Sequence, residues 1–105
     1  MKQLNIFKAN DFSEKTMKRL LVHDSPYFKI LNFNFLPGQS LPVHAHDIEG
    51  QVSLLILEGE GDYLAGEDRA IPVVVGDLVV CDIAEPHGVR ARTPMRVLVT
   101  IAPPI

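Results

Sequence analysis

Turn signals cut this chain into short pieces, and their spacing is the tightest constraint on its fold. They fall at Asp24–Pro26, Pro37–Gly38, Gly59–Gly61, Gly66–Asp68, Gly76–Asp77, Glu85–Pro86 and Thr93–Pro94. Glycine supplies positive-φ turns and proline pre-sets φ, so each cluster ends an extended run. Between the clusters lie short runs rich in Val, Ile, Leu and Phe. That pattern predicts an all-β sandwich or barrel. Strands are expected near Leu20–His23, Phe28–Leu36, Val52–Glu58, Asp62–Ala65, Ile71–Val75, Leu78–Asp82, Gly88–Arg92 and Arg96–Ile101. In the second run, Ile30, Asn32 and Asn34 alternate with Leu31, Phe33 and Phe35. The period of two gives one apolar and one mixed face. Val52–Leu57 is apolar at nearly every residue, as in a strand covered on both sides. Only Asp11–Leu21 hints at a helix, with Asn10 or Asp11 as its cap, so at most one short N-terminal turn is expected.

With 105 residues the chain makes one domain, spanning 1–105. A domain of this size buries roughly 65% of its unfolded surface, enough for one core without staples. Net charge is -3 and no basic stripe is present, which argues against nucleic acid as a partner. The single cysteine, Cys81, allows no internal disulfide and suits a cytoplasmic protein. Residues 1–8 lack the apolar core of a signal peptide. The run Leu54–Leu57 is too short to span a bilayer, so no membrane partner is expected.

Two of the four histidines, His44 and His46, stand two residues apart after the Pro37–Gly38 turn. In a strand, residues i and i+2 share a face, so two imidazoles aim at one point. His87, at the end of a later run, is a candidate third member. Clustered histidines are a metal signature, and the plain alternative is a solvated strand face. His23 beside Asp24 reads as exposed. Cys81 reads as a buried small hydrophobe. Arg90 and Arg92 follow His87 at strand spacing and read as a solvated edge, with an anionic ligand as the alternative. No Tyr-His or Glu-His pair has catalytic spacing.

These residues resemble the cupins. The first cupin motif runs Gly, five residues, His-X-His, then Glu and a closing Gly. Gly38, His44 and His46 fit it, and Gly59 closes it, giving motif one at about 38–59. Gly76 and His87 fit the spacing of the second motif, at about 76–91, with Asp82, Ala84 and Ala91 replacing its usual Pro, Gly and Asn. The likeness covers about residues 30–101. It implies a double-stranded β-helix, or jelly-roll barrel, assembled as a homodimer through N-terminal strands. Phe28–Leu36 and Ile101–Ile105 are candidates for that contact. It also implies one divalent transition metal, Fe, Mn, Ni or Zn, at His44, His46 and His87.

The fourth ligand stays open. Four residues beyond His46 stands Gln51, while seven before Gly59 stands Val52. The counts differ by one, which in a strand exchanges the two faces unless a bulge intervenes. Gln51, Glu49 or no protein ligand at all are the alternatives. The resemblance leaves three roles open. One is a mononuclear metal-dependent dioxygenase or isomerase acting on a small molecule. The others are a non-catalytic small-molecule-binding or sensory module and a metal-free scaffold.

Overall fold

A computed structural model describes all residues from Met1 to Ile105. After one helical turn, α1 (Ile6–Ala9), come nine strands: β1 (Lys18–Asp24), β2 (Lys29–Phe35), β3 (Ser40–His44), β4 (Gln51–Glu58), β5 (Glu60–Leu64), β6 (Ala70–Val74), β7 (Leu78–Asp82), β8 (His87–Ala91) and β9 (Met95–Ala102). They form two antiparallel sheets, ordered β1-β2-β9-β4-β7 and β3-β8-β5-β6. No helix is long and apolar enough to cross a membrane.

Alternation builds the core. Leu31, Phe33 and Phe35 of β2 face inward, opposite Val99, Val97 and Met95 of β9. Across β9 lie Leu54 and Ile56 of β4. The second sheet contributes Tyr63, Val73, Val89 and Ala91. β4 departs from the expectation of cover on both sides. Val52, Leu54 and Ile56 are buried, but Ser53, Leu55 and Leu57 on its outer face are only partly covered. Gly59, at the tight β4–β5 turn, has φ +78°, and a Cβ there would lie 1.9 Å from the Pro94 carbonyl oxygen. Only glycine fits that approach.

The mixed face of β2 is covered by the chain's own N-terminal segment. Asn32 and Asn34 are fully buried there. The Asn10 amide donates to Asn32 Oδ1 at 2.8 Å, and Asn32 Nδ2 donates to Asn34 Oδ1 and to the Val97 carbonyl, both at 3.1 Å. Asn34 in turn donates to the Asp11 carbonyl at 3.0 Å. This network explains why no helix forms over Asp11–Leu21. The main chain around Asn10 and Asp11 is held extended against β2, and Lys18–Asp24 completes the sheet as β1. The one helical turn lies earlier, with Asn5 Oδ1 accepting from the Lys8 N–H at 3.3 Å. Arg96 pins the same segment, lying 4.6 Å from the Phe7 ring and 4.8 Å from the Phe12 ring.

Asn32→Ala removes the link between Asn10, Asn34 and Val97 and leaves buried polar groups without partners. It is expected to cost about 2–3 kcal/mol, read as a lowered urea midpoint with unchanged m-value.

Candidate metal and ligand site

Edge strand β3 runs beside β8, and their register sets His44 directly opposite His87. Gly88 makes this approach possible, because a Cβ there would meet the Leu41 carbonyl oxygen at 2.7 Å. The His44 and His87 ring centroids are 4.4 Å apart, edge to face. His46 lies beyond the end of β3, so it reaches its neighbour without the strand alternation that the sequence suggested. Its backbone N–H donates to the Ile83 carbonyl at 3.2 Å, and its ring centroid is 5.5 Å from that of His44.

The three rings line one hollow of about 340 Å³ between the sheets. Its other walls are Leu31, Val52, Ile83, Ile101 and Ile105, with Arg19 and Lys29. His87 is buried, while His44 is part-exposed and His46 exposed.

Main-chain oxygens orient two of the imidazoles. His44 Nδ1 lies 2.8 Å from the Pro42 carbonyl oxygen, and His87 Nδ1 lies 2.7 Å from that of Glu85. A carbonyl only accepts, so each Nδ1 carries a proton, and the lone pair that could meet a metal is the one on Nε2. Histidines that ligate metals are oriented by bonds of this kind. Burial pushes the His87 pKa below its ordinary 6.5, and the charges of His44 and His46 act the same way. The bond to the Glu85 carbonyl opposes them. His87 is therefore neutral at pH 7, the form a metal takes. By donor chemistry the three imidazoles suit a divalent transition metal. With the rings as they stand, no three His, Cys, Asp or Glu side chains are gathered closely enough to hold one.

Gln51 is not brought to the imidazoles. It opens β4 on the face opposite Val52, donates to Asp82 Oδ1 at 3.3 Å and lines a separate hollow with Glu49. Of the two counts, the one back from Gly59 finds the residue that faces the histidines, and that residue is Val52. Arg90 and Arg92 pair with Asp62, away from the histidines. Tyr63 and Cys81 are buried elsewhere, with the tyrosine hydroxyl 3.5 Å from Cys81 Sγ. Burial pushes both of their pKa values up. Arg19, Lys29, Ile83 and Ile101 escaped the sequence reading as lining residues. For Arg19, Lys29 and Ile101 the only signal is inward parity in strands whose register the sequence does not state, and Ile83 lies in the turn after β7.

The model of the cupin domain family matches residues 31–101. The crystal structure of an RmlC-like cupin protein from Desulfovibrio desulfuricans is 50% identical, with a TM-score of 0.96 over 100% of this chain and 99% of that one. TT1209 from Thermus thermophilus is 26% identical, with a TM-score of 0.89 over 100% of both chains. The polyketide cyclase RemF from Streptomyces resistomycificus shares the fold at 23% identity and a TM-score of 0.77, over 97% of this chain and 79% of that one. No curated protein matches the chain.

The depressed His87 pKa has a signed consequence. The unfolded chain binds this proton more readily, so the contribution of His87 to stability is present above pH 6.5 and is lost as pH falls toward the folded value. NMR titration of chelator-treated protein is expected to show the His87 ring titrating below pH 6.5.

Proposed function

The chain belongs to the cupin family, and on that premise we propose that it holds one divalent transition metal at His44, His46 and His87 and binds a small molecule beside it. The observation that carries this reading is the His44–His87 pair across the β3–β8 ladder, with both Nδ1 protons spent on main-chain oxygens. A bound metal would supply Lewis acidity, polarising an oxygen of the small molecule. The surrounding aliphatic side chains give the hollow apolar walls. The hollow has no Asp, Glu, Tyr or Cys in its walls, so its proton carriers are the imidazoles and Lys29. Chemistry that acts by polarisation suits this lining better than chemistry needing a carboxylate base.

A second reading is a binding module without turnover. It is favoured by Val52, an apolar side chain where the cupin pattern has a ligating carboxylate. Turnover on a substrate panel separates the two.

Elemental analysis of untagged protein is expected to find near-stoichiometric metal, lost in the His44→Ala/His87→Ala double variant. A folded wild type that holds no metal and refuses added Fe(II), Mn(II), Ni(II) and Zn(II) would overturn the metal reading.

We also propose that the chain works as a homodimer, with edge strand β7 at the contact. Phe28–Leu36 lies inside the sheet, paired on both sides, and Ile101 and Ile105 line the hollow. Edge strand β7 instead turns Leu78 and Val80 to solvent, 60% and 59% exposed, beside Leu55 of β4. A bare aliphatic patch on an unpaired edge is what a second copy covers. Light scattering is expected to give a dimer for the wild type and a monomer for Leu78→Glu/Val80→Glu.

A further inference from the structure

We infer that the ligand of this hollow is a small organic acid with an apolar body, its carboxylate held by Arg19 and Lys29. The inference rests on the reading of the hollow as the ligand site, and it names the class of molecule that site takes.

Charge is distributed unevenly around the hollow. The chain as a whole carries net charge -3, yet the hollow is lined by two cationic side chains and by no Asp or Glu. Both cations are placed there by register. Lys29 of β2 stands opposite Ile101, and Arg19 of β1 stands opposite Phe33, so both belong to the inward face of the first sheet. The ion pairs of the molecule use Arg90, Arg92 and Arg96, so neither Arg19 nor Lys29 pairs with an Asp or Glu side chain. Lys29 Nζ donates to the main-chain oxygen of Ile105, which leaves protons free for a further acceptor. Glu49 and Asp82, close in sequence to Val52 and Ile83, line the separate hollow beside Gln51.

Val52 completes the argument. A carboxylate at this position would offset the two cations from inside the hollow. Valine contributes no opposing side-chain charge and adds apolar surface beside Ile101, its ladder partner. A concave site with low-dielectric walls and one sign of charge concentrates the opposite sign. Leu31, Val52, Ile83 and Ile101 then receive the hydrocarbon part. About 340 Å³ sits at the small end of ligand pockets, which run from about 300 to 1,000 Å³. Guanidinium and ammonium groups bind a carboxylate through charge-assisted hydrogen bonds.

The test is calorimetric titration of chelator-stripped protein with hexanoate and benzoate, beside hexanamide and benzamide, at low salt. Metal retention is measured separately on untreated protein. The acids are expected to bind and the amides to bind at least about tenfold more weakly. Arg19→Gln and Lys29→Gln should each weaken acid binding about tenfold, an effect of one charge-assisted bond. Arg19→Lys should restore part of that loss. Thermal melts confirm that each variant is folded, and shifts of the His87 ring resonances place the acid in the hollow. Equal binding of acids and amides, or acid binding unchanged in folded Arg19→Gln and Lys29→Gln, overturns the inference. So does absence of acid binding, even in protein that retains metal, in which case the metal reading stands. Arg19-dependent acid binding by protein that retains no metal supports the inference and sinks the metal reading alone.

Discussion

The register of β9 between β2 and β4 decides which side chains meet inside this molecule. One row across the sheet joins Lys29, Ile101, Val52 and Cys81, and the next joins Leu31, Val99, Leu54 and Val79. A slip of one residue at β4 would turn Val52 outward and bring Gln51 to the histidines. It would also expose Leu54 and Ile56, which are 2% accessible. Burying Val52, Leu54 and Ile56 therefore also fixes what faces the imidazoles. The composition of the site is set by the packing of the core.

The opposite face of the same sheet follows a different physical rule. Its centre is polar, with Asn32 and Asn34 at zero exposure. No buried side-chain polar atom lacks a partner, because the N-terminal segment brings amides and carbonyls to meet them. Buried amides accept only a few geometries, so they hold that segment in one place where an apolar contact would tolerate sliding. The segment carries none of the site, but it backs β1 and β2, the strands that carry Arg19 and Lys29.

Much of the fold was legible because Gly and Pro act locally. The turn clusters delimit the strands to within a residue or two, and Leu78–Asp82 is found with its boundaries unchanged. Gly59 marks a turn that only glycine can make. Errors arose where a distant contact overrides a local preference. Asp11–Leu21 has a helical cap and spacing, yet Asn10 and Asp11 are tied to β2. β3 was legible only through its histidines, since Pro42 argues against a strand and is tolerated because β3 is an edge. His44 and His87 were visible through motif spacing. Arg19 and Lys29 were not, because residues that meet through two strand registers leave no pattern in one sequence.

β3 has a further consequence for how the hollow is reached. It pairs on one side only, its register breaks between Leu41 and His44, and Pro42 has no N–H to give. Amide exchange in such a strand reports local fraying at a fraction of the global unfolding free energy, whereas β9 is held on both sides. One wall of the hollow is thus a singly paired strand with a broken register and the opposite wall a doubly paired one. Fraying of β3 would carry His44 with it, whereas Ile101 across the hollow sits in a strand paired on both sides.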